Sequence, residues 1–292
     1  MGSESARKRP AQRVLDFCRS RDRSALTLMP SISTPGKHRR IVLKFGSGTL
    51  TRARGSGLDL KQFARLSAEV AALVRQGHEC VMVTSGAVAA GMSALALAER
   101  PGDLATAQAS AAVGQSKLMR AYETAFSRYK LNVAQLLLTH SDLDSRMRRE
   151  NARSTLERLL AARNVIPIIN ENDSVAVEEL KFGDNDRLSA EVATLAHADL
   201  LVVLTQVDGL LDEKGKVIPL VRDIDRVKRL ADGSRGRFSV GGMTSKLDAV
   251  KMAVHAGIPT FIINGRRADG IAAAVAGKNI GTRFLAHRKM QA

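Results

Sequence analysis

Between residues 41 and 263 the chain repeats one pattern: a short, almost wholly apolar run, then a longer segment whose apolar residues recur at helical spacing. The runs are Ile41–Phe45, Cys80–Thr84, Val133–Thr139, Val165–Ile169, Leu200–Thr205 and Thr260–Ile263. A strand with one wet face alternates apolar and polar residues, whereas a run without that alternation has to be covered on both faces. Between the runs, Leu60, Phe63, Leu66, Val70 and Leu73 share one helical face, preceded by Asp59 and stopped by Gly77. Another helical stretch begins near Thr106. Ser141 with Asp144 reads as a capping pair, Asp replacing the usual Glu, for a helix reaching Ala162. Leu188, Val192 and Leu195 mark a further helix, and Leu247, Val250 and Val254 another that ends at Gly257. This alternation predicts an α/β fold, a three-layer sandwich around a mainly parallel central sheet. Asp212–Gly215 and Gly233–Gly242 read as hairpin or loop excursions within one domain.

Composition narrows the setting. No apolar run reaches the roughly 18–20 residues of a membrane-spanning helix, and a hydrophobic fraction of 45% excludes wholesale disorder. Cys18 and Cys80 cannot form a disulfide framework or a structural zinc site, and Cys80 reads as a small core residue. A reducing, cytoplasmic location is expected. The formal charge of +16 is uneven: residues 1–40 hold ten Lys/Arg against three acids, +7, and the remainder carries +9. Residues 1–40 read as a basic, disordered N-terminal arm ahead of a domain spanning 41–292. Contact with nucleic acid, a targeting role, or a true start at Met29 are the readings open for the arm. Disorder or a wrong start accounts for it more simply than a function.

In parallel sheets, ligands sit where strands run into helices at their carboxyl ends. The unusual residues lie there: Lys44-Phe45-Gly46-Ser47-Gly48, Thr84-Ser85-Gly86-Ala87, Asn170-Glu171-Asn172-Asp173, Gly183-Asp184-Asn185-Asp186 and Gly241-Gly242-Met243-Thr244-Ser245-Lys246. No Walker A sequence is present, and Gly46-x-Gly48 lacks the third glycine and acidic partner of a dinucleotide fingerprint. The six histidines show no ligand spacing, so no protein-held metal is expected, and nothing resembles a Ser/His/Asp triad. What remains is a set of glycine turns whose backbone N–H groups attract anions, two of them carrying a lysine. Two such lysines suit neutralisation of a moving phosphoryl group.

Four strings go further: Val83–Gly91 (Val-Thr-Ser-Gly-Ala-Val-Ala-Ala-Gly), Ile169–Asp173 (Ile-Asn-Glu-Asn-Asp), Gly183–Ala190 (Gly-Asp-Asn-Asp-Arg-Leu-Ser-Ala) and Gly241–Lys246. In these the chain resembles the amino acid kinase family, and within it the glutamate 5-kinases, from about Ile41 to His287. The resemblance implies ATP-dependent phosphorylation of the γ-carboxylate of L-glutamate to γ-glutamyl phosphate, the first step of proline synthesis, with Mg²⁺ accompanying ATP. By motif position it implies that Lys44 and Lys246 hold ATP phosphates and stabilise the moving phosphoryl group, and that Asp186 orients both. Ser85, Asp173 and Asn185 would bind glutamate. Thr205, Gln206 and the loop Val240, Gly241, Gly242, Met243, Thr244, Ser245 and Lys246 would meet the nucleotide. A homo-oligomer and a glutamyl phosphate reductase as functional partner are implied as well; neither membrane nor nucleic acid is.

Three departures from the family pattern fall on the nucleotide side. Gly46-Ser47-Gly48 stands where Gly-Thr-Ser is usual, Thr205-Gln206 with Leu211 where Thr-Asp and Tyr are usual, and Ser239-Val240 where Gly-Thr is usual. The end at Ala292 leaves no room for the RNA-binding-type PUA domain of many relatives, so an RNA role through it is not expected. Alternatives are another carboxylate kinase, acting on N-acetylglutamate or aspartate, or a non-catalytic ligand sensor.

Overall fold

A computed structural model describes residues 38–52, 57–176, 184–212, 214–233 and 242–286. Of the expected arm, residues 1–37, including the possible start at Met29, lie outside the described residues, as do Gly183 and, of the loop expected to meet the nucleotide, Val240 and Gly241.

Eight strands form one sheet in the order β3-β4-β2-β1-β5-β7-β8-β6. They are β1 (Arg40–Phe45), β2 (Glu79–Val83), β3 (Asn132–Leu138), β4 (Val165–Glu171), β5 (Leu200–Thr205), β6 (Leu220–Val221), β7 (Thr260–Asn264) and β8 (Thr282–Phe284). All neighbours from β3 to β7 pair parallel; β8 pairs antiparallel with β7 and parallel with β6. The two-residue β6 and three-residue β8 are too short to leave an apolar run, so the sequence pattern gave no sign of this reversed edge.

The helices are α1 (Ser47–Leu50), α2 (Leu60–Arg75), α3 (Ala87–Met92), α4 (Leu104–Ser127), α5 (His140–Asp144), α6 (Arg146–Ala161), α7 (Asp184–Leu195), α8 (Ile224–Gly233), α9 (Met243–His255) and α10 (Gly270–Val275). Two hydrophobic clusters, one per sheet face, make the three layers. Ile41, Leu43 and Phe45 of β1 point to α2, α4 and α10, whereas Val42 points to the opposite cluster with α6, α7 and α9. Burial on both faces is why the central strands carry no alternation. Cys80 is buried in the first cluster, and burial pushes its thiol up to about 12.

One helix start is corrected. The capping box joins Thr139 and Asp142: Thr139 Oγ1 accepts from Asp142 N, and Asp142 Oδ2 accepts from Thr139 N at 2.8 Å. β3 ends at Leu138 and leaves Thr139 extended, which presets the cap two residues before Ser141. The helix then breaks at Ser145, giving α5 and α6 rather than one rod. Flanking the expected excursion at 212–215, Asp212 N–H donates to Lys216 C=O at 2.7 Å and Leu211 bridges to Val217; most of the 233–242 excursion lies outside the described residues.

At the sheet's amino end, Arg40 ties four elements together. Its guanidinium reaches Glu79, both oxygens of Glu157 and the Ala196 carbonyl, and its N–H donates to Asp199 at 2.8 Å. At the other end, α3 lies so close to α4 that side chains are excluded. A Cβ on Gly91 would sit 1.8 Å from Ser110 O, and one on Gly114 1.8 Å from Ala87 O. This contact fixes the Ser85-Gly86 turn that opens α3. Gly114→Ala should destabilise the fold by about 3 kcal/mol or more, since backbone on the other side has no rotamer to yield; an unchanged urea midpoint would show that the two helices are not in this contact.

Candidate active site

The middle strands bring the glycine turns side by side at their carboxyl ends. Lys44 is the next-to-last residue of β1, while Asp186 and Lys246 lie in the first turns of α7 and α9, which pack against each other. The three side chains meet. Lys44 Nζ is 2.5 Å from Asp186 Oδ1, and Lys246 Nζ is 3.2 Å from Asp186 Oδ2. All are nearly excluded from solvent, at 4% (Lys44), 1% (Asp186) and 9% (Lys246) exposure. Lys246 Nζ also donates to the Gly242 carbonyl at 3.3 Å, and Ser245 Oγ lies 3.2 Å from Asp186 Oδ2.

Gly242 makes the second lysine possible. It caps α9 with φ 75°, a left-handed conformation that an L side chain adopts only with strain, and this turns its carbonyl toward Nζ. Burial pushes the Lys44 ammonium below its ordinary 10.5, Lys246 pushes the same way, and Asp186 opposes both. Burial alone would raise the Asp186 carboxyl, but the two lysines outweigh it and hold it below the usual range. Charges about 4 Å apart attract by about 4 kcal/mol at an effective dielectric near 20, while burying each ion costs several kcal/mol. The triad is therefore a positional constraint rather than a source of stability.

A cavity of about 700 Å³ opens over this triad. Lys44, Asp186, Ser245, Lys246 and Gly242 line it, together with Ser85, Asp173 and Asn185 on one side and Thr205 and Gln206 on the other. Asn185 Oδ1 is buried there and has no hydrogen-bond partner among the described residues. Of the residues expected at this site, Met243 and Thr244 do not line it: Met243 is packed in the core and Thr244 is exposed. Helical spacing explains the split, because residues 242, 245 and 246 share one face of α9 and 243 and 244 do not. Val240 and Gly241 lie outside the described residues. Arg100, from the loop between α3 and α4, lines the cavity too. Sequence reasoning missed it because Arg100-Pro101-Gly102 joins two helices rather than following a strand, and no matching string contains it.

Two of the departures prove to be one. The Gln206 carboxamide lies against Gly48, where a Cβ would be 2.4 Å from Gln206 Cδ, and Gln206 Nε2 donates to the Gly48 carbonyl at 3.0 Å. Arg266 donates to the same carbonyl at 3.0 Å and to that of Thr51 at 2.9 Å. The longer side chain at 206 thus fills the space that a side chain at 48 would occupy. Gly46 N–H donates to Leu204 O at 3.2 Å, so the turn is tied to β5 at its first glycine and to Gln206, just past β5, and Arg266 at its second.

The description of the amino acid kinase family matches residues 39–264. The chain belongs to the amino acid kinase family. Among its relatives, the glutamate 5-kinase of Trichlorobacter lovleyi is 50% identical over 254 residues, covering 85% of this chain and 67% of that one. The glutamate 5-kinase of Thermus thermophilus is 47% identical over 256 residues, covering 86% and 68%. Solved structures share the fold: Giardia carbamate kinase has a TM-score of 0.63 at 17% identity over 86% of this chain and all of that one. The UMP kinase of Bacillus anthracis has 0.58 at 15% identity, covering 85% and 96%. The amino acid kinase fold expected from the strings is therefore borne out.

The Gly48–Gln206 contact is testable by a double-mutant cycle on nucleotide binding. Gly48→Ser alone and Gln206→Asp alone should each weaken ADP binding about fivefold or more, and the double variant should recover much of the loss. Strict additivity would mean the two positions are independent. Nucleotide affinity should also fall as pH rises toward the lowered pKa of Lys44, because the folded protein loses that proton below pH 10.5; an affinity flat up to that pH would contradict it.

Proposed function

We infer that this chain transfers the γ-phosphoryl group of ATP to the γ-carboxylate of L-glutamate, giving γ-glutamyl phosphate and ADP, the entry step of proline synthesis. The observation that carries the reading is the meeting of Lys44 and Lys246 on one buried carboxylate inside a cavity large enough for both reactants. The nucleophile is an oxygen of a carboxylate with a pKa near 4.3, already ionised at neutral pH, so no general base is required. That oxygen forms a bond to the γ-phosphorus while the bond to the β–γ bridging oxygen breaks. The difficulty is electrostatic: an anion must approach a polyanion. Lys44 and Lys246 neutralise the equatorial oxygens of the moving group, and Asp186 keeps both ammoniums aimed at it.

Asp173 and Asn185 are assigned to the substrate ammonium, the unfilled Asn185 Oδ1 accepting a hydrogen bond from one of its N–H groups, and Ser85 to a substrate carboxylate. Thr205, Gln206, Gly242 and Ser245 form the nucleotide side. Mg²⁺ fits as a companion of the triphosphate rather than a protein-held ion. Among the described residues no group of three or more His, Cys, Asp or Glu could cage it, and Asp186 already serves two lysines; bound there, it would neutralise phosphate oxygens. The acyl phosphate product is reactive, which suits prompt reduction by a glutamyl phosphate reductase. A homo-oligomer in the cytoplasm completes the reading; among the described residues no helix is long and apolar enough to cross a membrane.

Trapping the product as a hydroxamate, with ATP and hydroxylamine, tests the acceptor. L-glutamate should be turned over fastest, and equal or faster turnover of N-acetylglutamate or aspartate would overturn the assignment. In the same assay, Lys246→Ala should lower kcat by about 10²-fold or more while glutamate still binds. Asp173→Ala should instead raise the KM for glutamate by about tenfold or more, since it removes a charged hydrogen-bond partner; an unchanged KM would count against its role.

A further inference from the structure

A second cavity, of about 480 Å³, lies across α3 from the first. Its floor is apolar, built by Phe63 of α2, Ala90 of α3, and Ala121 and Ala125 of α4, all buried. Its rim is cationic. Lys117, Arg120 and Arg128 recur along one face of α4 and its end, and Arg52 faces them from beyond α1. Among the described residues no Asp or Glu lines this cavity, and none of these four side chains makes an ion pair with another described residue. Leu60, also in the lining, is 62% exposed.

The four cations are exposed and screened by water from one another, but with no carboxylate partner among the described residues they leave the rim net positive above an apolar floor, and an uncharged occupant would use none of that charge. A purely inorganic anion would leave Phe63 and Leu60 uncovered. We propose that this cavity binds a small organic anion, a carboxylate or comparable acidic group attached to an apolar ring or branched chain. The acidic end would meet Arg120 and Arg128, which suit carboxylate geometry, and the apolar end would cover Phe63, Ala121 and Ala125. The sequence before residue 38 is unsuited as occupant on charge alone, since its eight Lys/Arg against three acids give +5 and would oppose a cationic rim.

The position gives binding a consequence. Ala87, Val88, Ala89 and Met92 of α3 line the first cavity, while Ala90 lines the second, so one six-residue helix is the wall between them. The same holds one step away, where Thr51 lines the first and Arg52 the second. α3 is seated on α4 through Gly91 and Gly114 without slack, so an occupant resting on Ala90 bears on the Ser85-Gly86 turn.

Ligand-observed NMR titration with phenylacetate tests the binding, with phenylacetamide and inorganic phosphate as the arms lacking charge or apolar body. Phenylacetate should bind at one site and survive excess ATP and L-glutamate, with the amide and phosphate each weaker by about tenfold or more. The Arg120→Ala/Arg128→Ala variant should lose about tenfold or more in phenylacetate affinity. Thr124→Trp, at an exposed lining position, should abolish binding with an unchanged thermal melt. Equal binding of the amide, displacement by ATP, indifference to the arginine variant or no binding of phenylacetate would each overturn the proposal. So would a second copy of the chain occupying the cavity, seen as a change in oligomer mass on Thr124→Trp. None of these readings needs turnover, so they stand apart from any failure of the kinase assay.

Discussion

One carboxylate held between two buried ammoniums organises the functional end of this protein. Asp186 comes from α7, Lys44 from β1 and Lys246 from α9, and no two of them are close in sequence. Each lysine would be costly to bury alone, and the pair would repel; the shared carboxylate makes the arrangement tolerable without making it strongly stabilising. A net positive charge is left facing the cavity. That residue of charge is what a site needs if two anions are to be brought together, and it is already in position before either arrives.

The rest of the fold serves to keep that charge in place. β1 sits at the centre of the sheet, buried on both faces, with its amino end clamped by Arg40 to Glu79, Glu157 and Ala196. Its carboxyl end is tied to β5 through Gly46, and Gly48 is tied to both Gln206 and Arg266. On the other side of the cavity, the glycine contacts between α3 and α4 leave the Ser85 turn little freedom. The two walls are held by different means, polar ties at the Gly46–Gly48 turn and close backbone packing on the other side.

Much of the architecture was legible in the sequence because full burial of a strand erases alternation, and six runs lacked it. The short reversed edge, β8 and β6, was not legible, since two or three residues carry no period. The helix start near residue 140 was misread by two positions because both Thr139/Asp142 and Ser141/Asp144 satisfy the capping spacing; only the end of β3 selects between them. At the site, glycine turns and lysines pointed to anion binding, but that Lys44 and Lys246 share a partner came only from the family resemblance and then from geometry. Met243 and Thr244 show the limit of carrying over a whole string, since helical phase sends neighbours in opposite directions. The fit of Gln206 over Gly48 joins residues 158 apart, and no local pattern encodes it.

Substituting the shared carboxylate tests the central claim most directly. Asp186→Asn keeps the shape, removes the charge between the lysines and leaves Asp173 and Asn185 untouched. Steady-state kinetics with ATP and L-glutamate should show kcat reduced by about 10²-fold or more, with the KM for glutamate changed far less. A variant that turns over like the original protein would contradict the view that this carboxylate sets the two lysines to their task.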